Sequence, residues 1–365
     1  MSEHGGKVLE AARSYFLGEV RPRAEDIDLD SEALRSALRG LCERGLMALR
    51  RPQEYGGPAL DEEEFRAFQE LSAQASGSLS FLMTQHQSAV SMIAKSANEG
   101  LKRELLPKMA NGERLLGIAF SQLRRPGPPL LAARPVDGGY ELEGTIPWIT
   151  GWTFFPEFIV GATLPSGEAV FGLMPFENAK RGDAELRFSE PMKLAAMESA
   201  LTVSARVTSW KLREEDTLFV RPADWAKTND LINIVLQGHF ALGCAMAGLH
   251  LVELAYEKKG SETLREAHSA LMGEIEACRK AAFEAQEASG EVTTDRKLEL
   301  RAWAIDLAVR CAHAAIAATG GQANSLRHPA QRIYREALVY TVSAQTPAIM
   351  EATLRRLMGR GKEAQ

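Results

Sequence analysis

Gly139-Tyr140-Glu141-Leu142-Glu143-Gly144-Thr145-Ile146-Pro147-Trp148-Ile149-Thr150-Gly151-Trp152 is a short island of β character between two long helical stretches. A rigid strand that exposes an aromatic beside a hydroxyl can hold a flat heterocycle, because the indole offers a face and the hydroxyl a hydrogen bond. A tryptophan in such a strand can equally be core, since buried tryptophan is common in sheets.

Around this stretch, Ile118 to Phe120, Phe158 to Val160, Val170 to Leu173 and Leu201 to Val207 are short β-branched or aromatic runs. Turns such as Asp137-Gly138-Gly139 and Pro165-Ser166-Gly167 separate them, a spacing that predicts a small β barrel or sandwich of about a hundred residues. Before it, Ala11 to Leu17, Leu34 to Leu41, Phe65 to Leu71 and the Leu101, Leu105, Met109 series repeat every three or four residues, as helices do. After it, Leu264 to Ala288 and Leu298 to Ala318 are long amphipathic segments that predict an antiparallel four-helix bundle. The predicted class is mainly α with a central β domain: a helical domain over 1–115, a small β barrel over 116–222 and a helical bundle over 223–365.

With 45% hydrophobic and 25% charged residues in 365, the chain is globular rather than disordered. A net charge of -5 and a pI of about 5.9 leave no basic field for nucleic acid, and the pairs Arg124-Arg125 and Arg355-Arg356 are too short to make one. Cys42, Cys244, Cys278 and Cys311 stand apart among apolar neighbours, which predicts buried free thiols and a reducing cytoplasm. The N-terminal residues lack the apolar run of a signal peptide. Leu231 to Tyr256 has no Lys or Arg, but Asn233, Gln237, His239, His250 and Glu253 interrupt it. Its unbroken apolar part, Phe240 to Leu249, suits a buried core helix rather than a membrane span.

Dinucleotide-binding, P-loop, zinc-protease and nucleophile-elbow motifs are all missing, and the seven histidines are too scattered to suggest a metal site. His239 and His250 are expected to be hydrogen-bonded structural residues. His86, in Gln85-His86-Gln87, is either structural or an acid or base near a cavity.

The helix, β, helix layout together with several local motifs resembles the acyl-CoA dehydrogenase family over nearly the whole chain. Pro52-Gln53-Glu54-Tyr55-Gly56-Gly57 is similar to the family's Pro-Glu-Glu-Tyr-Gly-Gly turn, and Leu106-Pro107 with Gly112-Glu113 matches its Leu-Pro and Gly-Glu pair. Gly320-Gly321, Pro329, Arg332, Arg335 and Ala337 follow in the family's order and spacing. Gly144, Thr145, Trp148, Ile149 and Thr150 match its Gly-Thr-Lys-x-Trp-Ile-Thr, with Ile146 and Pro147 departing.

The resemblance implies FAD, with FMN less favoured, and an oxidoreductase acting on an acyl-CoA or similar thioester. It places Ser121, Trp148, Thr150, Thr346, Gly320 and Gly321 at the cofactor. It also implies a homodimer or homotetramer, with an electron-transfer flavoprotein or a flavin reductase as redox partner; no nucleic acid, membrane or metal is expected.

Three departures weigh against the family's usual chemistry. The phosphate loop Glu-Pro-Gly-x-Gly-Ser-Asp is replaced by Gln122-Leu123-Arg124-Arg125-Pro126-Gly127-Pro128-Pro129, whose prolines remove backbone donors while Arg124 and Arg125 either bind phosphate or face water. The Arg-x-Phe-Gly that reaches a neighbouring subunit's pyrophosphate is replaced by Glu257 to Thr263, and the Gln before the glycine pair by Ala317. The glutamate that removes the α proton corresponds to Ala344. The alternative base position on the first bundle helix falls on Ile232 or Asn233, neither of which takes a proton. Glu336 matches a structural Asp. The resemblance therefore leaves three readings: a dehydrogenase-like flavoenzyme whose base is unidentified, a reduced-flavin monooxygenase, and a non-catalytic binding protein.

Overall fold

The computed structural model describes residues 3–58, 60–287 and 292–359, and these contain twelve α-helices and nine β-strands in three consecutive blocks. The first block holds α1 (Glu3–Tyr15), α2 (Ala24–Leu29), α3 (Ser31–Glu43), α4 (Glu62–Ala75), α5 (Gly77–Ala94) and α6 (Glu99–Leu105). Local chemistry fixes where these helices start. Asp61 accepts from the Glu64 N–H while the Glu64 side chain accepts from the Asp61 N–H, a capping box at the head of α4. Ser76 caps α5 by accepting from the Leu79 N–H. The inner faces then meet, with Phe16 and Phe68 fully buried and their ring centres 5.4 Å apart.

The second block is the sheet: β1 (Leu116–Ala119), β2 (Leu131–Val136), β3 (Gly139–Thr150), β4 (Glu157–Thr163), β5 (Ala169–Pro175), β6 (Ala179–Arg181), β7 (Ala184–Phe188), β8 (Thr202–Arg213) and β9 (Thr217–Arg221). The strands run in the order β6-β7-β8-β3-β2-β4-β5-β9, with β1 added parallel to β4. Its aromatic core gathers Phe158, Phe176, Phe188 and Trp152, so Trp152 is a packing residue.

The third block comprises α7 (Trp225–Asn233), α8 (Gly238–Lys259), α9 (Glu262–Glu287), α10 (Thr294–Thr319), α11 (Pro329–Val342) and α12 (Pro347–Gly359). In the long helix predicted over Leu264 to Ala288, the last position lies outside the described residues. Small residues let α8 approach its neighbours closely: a Cβ on Gly243 would lie 2.4 Å from the Glu70 carbonyl oxygen of α4, and one on Gly248 would lie 2.7 Å from the Cys311 backbone of α10. The segment Trp225–Lys259 is apolar and long enough to cross a membrane by composition alone, yet 72% of its apolar window is buried within the protein. It serves as a core helix. All four cysteines are buried and free.

Buried ion pairs join the first and third blocks. Arg332 of α11 binds Glu25 at 3.0 Å and Glu336 at 2.7 Å, Glu336 accepts from the Gly77 N–H at 2.9 Å, and Arg335 binds Asp28 at 2.6 Å. His239 of α8 lies 2.6 Å from Glu70 of α4, whose other oxygen accepts from Arg279 of α9 at 2.8 Å.

Candidate functional site

Where the three blocks meet, they enclose a cavity of about 1020 Å³. Its wall combines α4 and α5, the turn after β1, the end of β3, the α7–α8 junction, α10 and the α11–α12 turn.

The barrel side of the wall depends on two irregularities in β3. Gly144 has φ of +136°, and a Cβ there would lie 2.1 Å from the Leu130 carbonyl oxygen, so glycine is required at this bulge. A second register shift lies between Ile146 and Ile149. Pro147 falls inside it, where a missing N–H breaks no ladder bond. The shift also resets the alternation of faces: Ile146 and Ile149 both enter the core, while Trp148 is 45% exposed and lines the cavity. Thr150 closes the strand, buried on the same wall, with its Oγ1 3.0 Å from that of Thr202. Ser121 begins the turn that follows β1 and is exposed on the same wall.

On the bundle side the wall has few functional groups. Ala344 lines it with φ of +49°, a left-handed conformation that costs a non-glycine residue about 1 kcal/mol. Ile232 and Asn233 line it as well. Among the described residues the wall carries two carboxylates, and both are tied to arginines. Glu62 accepts from Arg50 and Arg66, each at 2.6 Å; burial pushes its carboxyl up, but the two arginines outweigh that and hold it below its usual range. Asp230 accepts from Arg124 Nε at 2.9 Å and Nη2 at 2.7 Å. Arg124 is thus paired with a carboxylate, while Arg125 is exposed. Against the two carboxylates stand seven lysines and arginines, so the wall is strongly cationic.

One of these cations gave no signal in the motif comparison. Arg301 of α10 is 1% exposed, donates from Nη2 to the carbonyls of Ser343 at 3.1 Å and Tyr340 at 3.4 Å, and has no carboxylate partner among the described residues. Burial pushes its guanidinium down to about 10. The signal available was periodicity: Arg301 shares the buried face of α10 with Ala304, Ile305 and Ala308, where a charge is out of place.

Thr346, Gly320 and Gly321 do not line the cavity. Thr346 accepts from the Ile349 N–H at 3.3 Å at the start of α12, and the two glycines lie exposed beyond α10. His86 is not on the wall either. Its Nδ1 accepts from the Leu116 N–H at 2.9 Å, so Nε2 donates to the Met109 carbonyl at 2.8 Å, and burial pushes the imidazole down to about 4. It is a neutral structural residue with no nitrogen left for acid–base work. Glu336 is fully buried in the ion-pair network away from the wall.

The architecture is that of the acyl-CoA dehydrogenases. Butyryl-CoA dehydrogenase from Megasphaera elsdenii superimposes with a TM-score of 0.79 at 18% identity, covering 98% of this chain and 99% of that one. A glutaryl-coenzyme A dehydrogenase in complex with glutaryl-CoA gives 0.81 at 19%, covering 98% and 96%. In sequence, the mitochondrial isovaleryl-CoA dehydrogenase of Pongo abelii is 23% identical over 98% of this chain and 89% of its own length. The 3-(aryl)acrylate reductase of Clostridium sporogenes is 22% identical over 58% of this chain and 57% of its own. The model of the acyl-CoA dehydrogenase N-terminal domain matches residues 2–113. The chain is thus similar to acyl-CoA dehydrogenases over nearly its whole length, and its residues 2–113 match the family's N-terminal domain.

Proposed function

We propose that the protein is an FAD-dependent oxidoreductase acting on an acyl-CoA or similar acyl thioester, in three domains over 1–115, 116–222 and 223–365. The observation that carries this reading is the convergence of Ser121, a half-exposed Trp148 and Thr150 on one wall of a 1020 Å³ cavity, in a fold whose relatives are named as acyl-CoA dehydrogenases. An indole held out of the core by two bulges suits a planar ring better than it suits packing. The bound flavin would supply hydride acceptance; the chain supplies the ring face, hydroxyls to orient it, and a cationic wall for the phosphates that the proline-containing loop serves poorly. Thr346, Gly320 and Gly321 remain as outer cofactor contacts in this reading. A homodimer or homotetramer would cover the exposed apolar side chains Leu338, Val342, Leu354 and Leu357. The four buried thiols fit a cytoplasmic location, and the redox partner would be an electron-transfer flavoprotein or a flavin reductase.

A second reading has its own support. By the sequence resemblance Ala344 corresponds to the family's base and Ile232 or Asn233 to the alternative position, and both wall carboxylates are committed to arginines. A reduced-flavin monooxygenase needs no such base. The visible spectrum of purified protein titrated with FAD separates these readings. Bleaching by an acyl-CoA supports dehydrogenation; bleaching only with a reductase and NADH, followed by oxygen uptake, supports the monooxygenase. Protein that stays colourless with excess FAD overturns both in favour of a non-catalytic binding role.

A further inference from the structure

Arg301 carries five N–H donors, and the three on Nε and Nη1 meet no acceptor among the described residues. The other cations on the cavity wall are less withdrawn from water or have an anion. Arg50 and Arg66 share Glu62, Arg124 grips Asp230, Arg221 is half-buried and stacks over the Phe219 ring although its Nε meets no acceptor, and Lys95 and Arg125 are exposed to water. Arg301 is the one that is both buried and without a carboxylate. A guanidinium withdrawn from water is normally held by an anion, and this one lines the cavity without one, its Nε and Nη1 shielded from solvent. The position adds to the argument. Nη2 is fixed by the carbonyls of Tyr340 and Ser343, so the group cannot swing out to solvent, and the next residue is Ala344, whose methyl leaves the adjoining space free.

We propose that Arg301 receives a carboxylate carried by the substrate, which enters the cavity beside Ala344 and meets the Nε and Nη1 donors. This rests on reading the cavity as the substrate chamber. The carboxylate belongs either to a free carboxylic acid or to the far end of an acyl chain whose other end is a thioester. An amide or a methyl of the same shape leaves the charge unmet and binds more weakly.

Calorimetric titration of the purified full chain tests this with two matched pairs, hexanoate against hexanamide and adipoyl-CoA against hexanoyl-CoA. At least one pair should favour its carboxylate member by about ten-fold. Preference in the first pair assigns a free acid, and in the second a carboxylate-ended acyl thioester. Arg301→Gln should abolish the preference, and Arg301→Lys, which keeps the charge without the planar fork, should reduce it several-fold. Equal affinities within both pairs, no binding of any probe, or an unchanged preference in either variant overturns the proposal; the lysine variant decides if the glutamine one fails to fold. FAD titration of the same preparations keeps the two readings apart. Flavin binding without a charge preference removes only the role of Arg301, whereas a charge preference in protein that refuses FAD removes only the flavin reading.

Discussion

Two arginines of the helical bundle are equally hidden and differently provided for. Arg332 is 3% exposed and held by Glu25 and Glu336, whereas Arg301 is 1% exposed and holds two backbone carbonyls but no carboxylate. The first is satisfied by the fold. The second awaits something that the fold does not contain. The same division separates His86, whose two nitrogens are both engaged, from Trp148, whose indole is left half in the open. In these two pairs the engaged groups sit in the packed interior, and the unengaged ones line the cavity.

The contrast is most exposed to failure at Glu336. Glu336→Ala leaves Arg332 with Glu25 as its one carboxylate and the Gly77 N–H without an acceptor in the interior, and should cost about 3 kcal/mol of stability. Glu336→Gln keeps an acceptor and should cost less. Chemical denaturation checks both, and a loss below about 1 kcal/mol for the alanine variant would mean that the network is not structural.

His86 tests the same side of the division through pH. Its imidazole is lowered from 6.5 to about 4 by burial, so the unfolded chain binds a proton that the folded chain refuses. Stability is therefore complete above the unfolded value and is lost as pH falls from about 6.5 toward 4, by about 3 kcal/mol in all. Replacing His86 with Gln should flatten that part of the stability profile, measured by denaturant titration at several pH values. An unchanged slope in the variant would sink this assignment.

How much of this was legible in the sequence differs between the two sides. The three-block fold could be read because bulges, caps and helical periodicity are local: Gly144 is a glycine for reasons contained within β3 and its neighbour, and Asp61 with Glu64 spells its own helix start. The buried free cysteines and the core role of the α8 segment were legible for the same reason. The state of Arg124 was not, since Asp230 lies about a hundred residues away and only the turn after β1 and helix α7 bring them together. His86 could not be settled either, because the Leu116 N–H and the Met109 carbonyl that saturate it come from other segments. Arg301 was hidden by the opposite effect. It lacks a motif and a partner, and it becomes conspicuous only when every other cation around the cavity has been accounted for.

On the open side, Trp148 carries the next largest effect. Trp148→Ala removes a stacking face without leaving a hole in the core, so FAD affinity should fall by about ten-fold, about 1.4 kcal/mol, while the melting midpoint of the flavin-free protein barely moves. Fluorescence titration with FAD measures the first and a thermal scan without flavin the second. Unchanged affinity with a lowered midpoint would transfer Trp148 to the structural group.

Arg301→Met should give the smallest change in the ligand-free protein, and that smallness is informative. The substitution removes a costly buried charge and gives up two hydrogen bonds to backbone carbonyls, effects of opposite sign that leave a net change within about 1 kcal/mol. Arg332→Met, by contrast, would leave both Glu25 and Glu336 without their cation and should approach the loss expected for Glu336→Ala. Comparing the two methionine variants in one denaturation series asks the question directly. If Arg301→Met loses about as much as Arg332→Met, the guanidinium is fastening the α11–α12 turn rather than waiting for an anion, and the division between saturated and open groups fails at the residue on which it bears most.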